Sequence, residues 1–258
     1  MSGVREWRIK LFADGTDLTR MAELARDPLI TGFTTNPTLM RQGGVRDYGR
    51  FAREVLALIS DRPISFEVFS DDFAEMEQQA REIASWGRNV YVKIPVTNTC
   101  GEFSGPLIRT LSAAGVKLNV TAVMTPQQVA DITACMAEEL SSYISIFAGR
   151  IADTGRDPVP LVAEALRIMR ARPRLELIWA SPRELLNIFQ AEAVGCHIIT
   201  ATSEVLAKLQ LVGKDLTEFS RETVQMFRQD ALKAGLRLEI AETSTVSSGE
   251  GVRARGIA

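Results

Sequence analysis

Short apolar runs alternate with longer amphipathic stretches along almost the whole chain. Of the runs at 9–13, 32–34, 64–68, 90–94, 117–123, 143–147, 176–180 and 197–200, several are almost wholly apolar or β-branched. That pattern belongs to strands buried on both faces. Between them, 18–26, 48–60, 73–85, 106–114, 126–139, 158–170, 183–193 and 204–211 repeat apolar residues at three-to-four spacing, as helices with one buried stripe do. Helix-start chemistry supports several of these. Ser70-Asp71-Asp72 precedes Phe73, and Thr125-Pro126 and Asp157-Pro158 open two others. Gly32, Gly87, Gly115 and Gly195 fall near helix-to-strand turns, where left-handed backbone is expected.

The pattern counts as eight strand-then-helix units. The predicted strand ends are Asp14, Thr34, Glu67, Lys93, Thr121, Phe147, Ala180 and Thr200, spaced 20 to 33 residues apart. A strand, a helix and two turns need about that length. Eight units predict an α/β fold, a single closed (β/α)8 TIM barrel. The competing fold is an open doubly wound sheet, but no GxGxxG or GxxxxGK[ST] follows any strand. A further helix at 216–234 is expected to cap the barrel or pack on a neighbouring subunit. The barrel domain with this helix is expected to span 1–241. The small, polar, glycine-rich segment 242–258 reads as a flexible tail.

Composition narrows the chemistry. The net charge is −2, so no strong field favours nucleic acid or an anionic membrane. No run of 18 apolar residues and no signal-peptide pattern is present, which predicts a cytoplasmic protein without a membrane partner. One histidine, His197, excludes metal sites built from several histidines. The three cysteines, Cys100, Cys135 and Cys196, lie far apart without a CxxC, so neither structural zinc nor a disulfide framework is expected. His197 itself reads as a core or strand-start residue. Only six of the 30 basic residues are lysines, so a lysine inside an apolar run stands out.

Lys93 is such a lysine, in Val90-Tyr91-Val92-Lys93-Ile94-Pro95. Catalytic groups of barrels sit at the C-terminal strand ends. An ammonium is disfavoured in low dielectric, and a neutral amine there can attack a carbonyl and form a Schiff base. The alternative is a lysine whose stem packs and whose head reaches water or a carboxylate. Other strand ends carry Asp14, Glu67, Thr34-Thr35-Asn36, Asn119 with Thr121, and Ser145 with Phe147. Glu67 suits general acid/base work, or else pairs with Lys93 or a loop arginine. Asp14 suits proton exchange with a substrate hydroxyl, or else caps the first helix. Arg150 and Arg183 follow the sixth and seventh strands, where barrels often hold phosphate.

These residues resemble the transaldolase family over roughly 11–234. The segments that carry the resemblance are Phe12-Ala13-Asp14, Thr34-Thr35-Asn36-Pro37-Thr38, Phe66-Glu67-Val68, Val92-Lys93-Ile94-Pro95, Asn119-Val120-Thr121, Phe147-Ala148-Gly149-Arg150-Ile151 and Ala180-Ser181-Pro182-Arg183. The resemblance implies a (β/α)8 barrel and a Schiff-base mechanism that uses no metal and no cofactor. It implies Lys93 as the Schiff-base lysine, Asp14 as the acid/base for the substrate hydroxyl, and Glu67 with Thr121 as the holders of a water. Asn36 and Asn119 would bind hydroxyls of a three-carbon unit, Thr34, Ser145 and Ser181 would line the same pocket, and Arg150 and Arg183 would bind phosphate.

Two activities occur in the family. Transaldolases move a dihydroxyacetone unit between sugar phosphates, and the similar fructose-6-phosphate aldolases release it. Aldolase-type members tend to carry glutamine at the Glu67 position and tyrosine at the Phe147 position, so this chain has the transaldolase-type pair. One departure is Pro182, where the family more often has a bulky residue such as phenylalanine. Sugar phosphates are the implied partners, and a homo-oligomer is expected, as compact members often form rings.

Overall fold

The computed structural model describes residues 7–238. Eight parallel strands close into a barrel in sequence order, and the eighth returns to pair with the first from Lys10↔Ile198 to Asp14↔Thr202. In chain order the elements of the first half are β1 Lys10–Asp14, α1 Leu18–Leu24, β2 Ile30–Thr34, α2 Pro37–Gln42, α3 Tyr48–Leu58, β3 Ile64–Glu67, α4 Phe73–Ser85, β4 Val90–Pro95 and α5 Gly105–Ala113. The second half has β5 Leu118–Val123, α6 Pro126–Cys135, β6 Ser142–Ile146, α7 Ala148–Ala152, α8 Val159–Met169, β7 Leu175–Trp179, α9 Leu186–Ala193, β8 Ile198–Thr202 and α10 Ser203–Ala207. The closed barrel replaces the open-sheet alternative.

The barrel forms one compact unit ending at Gln210. A second unit begins at Leu211 and contains α11 Leu216–Lys233, which starts where Asp215 accepts the Glu218 N–H. The expected tail, 242–258, lies outside the described residues.

Capping explains where most helices begin. Asp17, Asp47 and Asp72 each accept a backbone N–H in the first turn of α1, α3 and α4, and Thr125 with Gln128 forms a reciprocal capping box on α6. The strands bury one face against these helices, through residues such as Leu11, Phe33, Val92, Val120 and Leu177. The other face fills the barrel. Phe12, Tyr91, Tyr143, Ile178 and Ile198 form an apolar cluster there, with Tyr91 and Tyr143 stacked at 4.1 Å. Gly32 belongs to this packing. A Cβ at Gly32 would sit 2.4 Å from the Phe12 ring, so the glycine makes room for an aromatic plug.

Several details depart from the pattern in the sequence. Gly115 and Gly195 are left-handed as expected, but Gly32 and Gly87 are not. The sixth helix stops at Cys135, and α9 starts at Leu186 rather than 183. Two short helices, α2 and α7, follow β2 and β6, where no periodicity announced them. A segment of five or six residues makes too few turns to show a 3.6 period.

Candidate active site

Lys93, at the upper end of β4, is only 6% exposed. Its Nζ lies 2.9 Å from Glu67 Oε2 and donates to the Thr35 carbonyl at 2.9 Å. The pairing follows from register, because Glu67 faces Lys93 across β3 and β4, and Lys93 faces Asn119 across β4 and β5. A buried ammonium needs such partners, since taking a charge out of water unpaired costs several kcal/mol.

Asp14 ends β1 and opens onto the same cavity. Thr34 Oγ1 donates to its Oδ1 at 2.8 Å, and Asn36 Nδ2 donates to Oδ2 at 3.1 Å. Enclosure by the barrel walls raises its carboxyl above the usual range, against the lowering pull of Lys93 and the Thr34 hydrogen bond. The N-cap alternative for Asp14 does not hold, because Asp17 caps α1. The site thus sets a carboxyl biased toward protonation across from a carboxylate already paired with a lysine.

The cavity is about 400 Å³. Asp14, Thr34, Asn36, Glu67, Lys93 and Thr121 line its β1–β5 side, and Ser145, Phe147, Arg150 and Ser181 line the other. Two expected residues do not line it. Asn119 is fully buried beneath, donating to Ser65 Oγ and accepting from Ser145 Oγ. Arg183 is turned onto Asp153, with its Nε 3.0 Å from Oδ1 and its Nη2 on Oδ2. That carboxylate is held below its ordinary range by the Arg183 hydrogen bond. Arg150 reaches the cavity with its guanidinium 5.6 Å from the Phe147 ring centre.

Local backbone shapes this rim. Between Val120 and Val123 the pairing of β5 with β6 is interrupted, and Ala122 is left-handed at φ 62°. The irregularity lets both Thr121 and Ala122 line the cavity. The Thr121 hydroxyl is buried and makes no hydrogen bond to the described protein atoms. Ser181 is left-handed too, at φ 58°, just before Pro182. Its carbonyl oxygen lies 1.6 Å from where a Cβ on Gly149 would be, so no side chain fits there. Strained residues of this kind concentrate at functional sites.

Three contributors were missed in the sequence. The first is the Thr35 carbonyl on Lys93, which is backbone chemistry and leaves no trace in residue type. The second is Thr200, 2.6 Å from Thr34 Oγ1. The third is Tyr48, the first residue of α3. Its hydroxyl donates to the Glu67 carbonyl at 3.0 Å and accepts the Glu67 N–H at 2.8 Å. Strand β2 pairs with β3 only as far as Thr34↔Ser65, so Tyr48 stands in for a strand at Glu67. Its ring packs edge-on to Phe66 and Trp86, and burial pushes its phenol above the ordinary range. No signal beyond its place at a helix start could have singled it out.

Comparison with known proteins agrees with this architecture. The chain is 32% identical to a "probable transaldolase" of Thermoanaerobacter sp. (strain X514) over 231 residues, covering 89% of this chain and all of that one. It is 34% identical to a "probable transaldolase" of Pelotomaculum thermopropionicum over 211 residues, 81% of this chain and 93% of the other. Among solved structures, a Burkholderia cenocepacia J2315 protein superposes with TM-score 0.54 at 14% identity, over 90% of this chain and 88% of that one. KGPDC from Streptococcus mutans does so with TM-score 0.52 at 12% identity, over 75% and 88%. At such identities these two speak for the barrel alone. The family model described as Transaldolase/Fructose-6-phosphate aldolase matches residues 11–254, and the chain belongs to that family.

Proposed function

We propose that the protein transfers a dihydroxyacetone unit from a ketose phosphate to an aldose phosphate through a Schiff base on Lys93. The observation that carries this reading is the buried Lys93, paired with Glu67 at 2.9 Å in the cavity that Asp14 also lines. Glu67 takes a proton from Lys93, and the free amine adds to the donor ketone. The added oxygen leaves as water, with a proton returned through Glu67, and an iminium remains. Asp14 then takes the proton of the hydroxyl beyond the bond that breaks. The carbon–carbon bond opens, its electron pair moves into the iminium, and an aldehyde departs. The three-carbon enamine adds to the acceptor aldehyde by the reverse steps, with Asp14 returning the proton.

The surrounding groups support this assignment. The free hydroxyl of Thr121 suits a water shared with Glu67. Asn36, Thr34, Ser145 and Ser181 offer polar contacts to a hydroxylated three-carbon unit, and Asn119 braces Ser145 from below. Arg150 is read as the phosphate partner within the cavity, with Arg183 joining it from the Asp153 side. Phe147 has no hydroxyl to protonate the enamine, which favours transfer over release. The apolar Leu216, Val224, Phe227 and Leu232 exposed on α11 support a homo-oligomer.

Borohydride reduction in the presence of a panel of ketose phosphates tests the chemistry. The expected product is Lys93 heavier by about 74 Da, one three-carbon unit joined through a reduced imine. Lys93→Met is expected to remove both the adduct and turnover. An unmodified Lys93 under saturating donor overturns the reading. Donor cleavage that runs equally fast without an acceptor aldehyde replaces transfer with release of dihydroxyacetone, the other activity in the family's description.

A further inference from the structure

Thr200 lies on β8, is 6% exposed and lines the cavity that Lys93 and Asp14 also line. Its hydroxyl is 2.6 Å from Thr34 Oγ1, and either oxygen can be the donor. Thr34 Oγ1 is in turn 2.8 Å from Asp14 Oδ1. Thr34 Oγ1 carries a single proton, and both of its side-chain partners in this structure lie within this group. Three oxygens from β8, β2 and β1 therefore form a chain that ends on the carboxyl.

We propose that Thr200 is a positioning residue for Asp14: its hydroxyl is the outer member of a Thr200–Thr34–Asp14 chain that re-pairs when a proton enters or leaves the carboxyl. With Asp14 ionised, Thr200 donates to Thr34, and Thr34 donates to Oδ1. With the proton on Oδ1, Asp14 donates to Thr34, and Thr34 turns its own proton to Thr200. The number of hydrogen bonds within the chain is the same in both states, and no heavy atom moves. The use of this chain in turnover rests on the transaldolase reading above, because that reading makes Asp14 the group that changes protonation during carbon–carbon cleavage.

The balance of charge around Asp14 gives the chain its leverage. Lys93 on β4 lowers the carboxyl and Glu67 on β3 raises it, while enclosure by the barrel raises it most. Asp17, which caps α1, Arg20 of α1 and Glu204 of α10 line the adjoining cavity that Asp14 also borders. Hydrogen bonds to a charged acceptor are stronger than neutral ones, and a donor behind the donor strengthens them further. Removing Thr200 therefore weakens support for the carboxylate more than for the acid.

The test replaces the hydroxyl and reads the titration of Asp14 directly. Protein labelled with ¹³C at aspartate carboxyls is titrated by NMR, with Asp14→Asn assigning the resonance. Thr200→Val, equal in shape, is expected to raise the Asp14 midpoint by about half a pH unit. Thr200→Ala is expected to do the same without crowding, and Thr200→Ser to restore the wild-type midpoint. The acidic limb of kcat/KM is expected to move with the resonance. A midpoint unmoved in both Thr200→Val and Thr200→Ala overturns the proposal, as does a shift that Thr200→Ser fails to reverse. The titration needs no turnover. A shifted midpoint in a protein whose Lys93 never forms an adduct supports the chain and overturns the transaldolase reading alone.

Discussion

Two layers of the same barrel interior sit two residues apart on the same strands, and they are built from opposite materials. On β1 the pair is Phe12 and Asp14, on β4 Tyr91 and Lys93, on β6 Tyr143 and Ser145, and on β8 Ile198 and Thr200. Side chains i and i+2 of a strand share a face, so each of these four strands contributes one member to an apolar floor and one to a polar layer above it. The floor is stabilised by buried area and ring contacts, such as Tyr143 edge-on to Phe12 at 5.9 Å. The upper layer is stabilised by mutual pairing, in which almost every polar group answers another. The floor closes the barrel to water from below and gives the upper layer a low-dielectric base. The upper layer supplies chemistry at the cost of desolvated charge.

The comparison breaks most visibly at Phe12. Its ring fills the space that Gly32 leaves open. Phe12→Ala is expected to cost about 3–5 kcal/mol of stability, read as a lower midpoint in chemical denaturation. At a temperature where the variant stays folded, its kcat/KM is expected to remain within about threefold of wild type. A fall in kcat/KM larger than that, in folded protein, would show that the floor and the upper layer are one unit.

The reverse experiment removes one oxygen from the support of the upper layer. Tyr48→Phe keeps the aromatic packing against Phe66 and Trp86 but leaves the Glu67 N–H and carbonyl without their partner. The expected cost in stability is about 1–3 kcal/mol. The larger effect is expected in kcat, a loss of about tenfold, because the carboxylate that must meet Lys93 loses its hold on one side. KM is expected to change little. An unaltered kcat would show that β4 alone fixes Glu67.

The sequence carried the fold well, because buried parallel strands and one-sided helices leave strong periods, and every one of the eight units is present. It carried the side chains of the upper layer as well, because charged and polar residues embedded in apolar strands are conspicuous. Lys93, Glu67 and Asp14 do share one cavity. What it did not carry is of three kinds. Short helices such as α2 and α7 contain too few turns to register. Backbone contributions, the Thr35 carbonyl and the left-handed Ala122 and Ser181, have no residue-type signature. Supports reached only through tertiary contact, Tyr48 and Thr200, read as an ordinary helix start and an ordinary strand residue. Arg183 differs in where its side chain rests. Its place after β7 suggested a residue facing the cavity, but Asp153, thirty positions earlier, holds its guanidinium.

The smallest expected effect concerns the chain's single histidine, at the lower end of the barrel. His197 precedes β8, and its Nδ1 accepts the Leu177 N–H at 3.0 Å. Strands β7 and β8 otherwise pair only at Ile178↔Ile198 and Trp179↔Ile199, so the ring extends a short seam. An accepting Nδ1 must be unprotonated, and burial lowers the pKa of the ring below its ordinary 6.5, against the raising influence of Glu176. The unfolded chain therefore binds the proton more readily than the folded one. The stabilisation is present above pH 6.5 and is lost as pH falls through the folded-state value. Carboxylates throughout the protein also respond to acid, so the informative quantity is a difference between proteins. His197→Gln, which does not titrate, is expected to be less stable than wild type at pH 7.5 by about 1 kcal/mol and to close that gap at pH 5. Denaturation midpoints of the two proteins, measured across this range, should converge as the pH falls. Parallel curves would mean that the seam does not depend on the neutral ring.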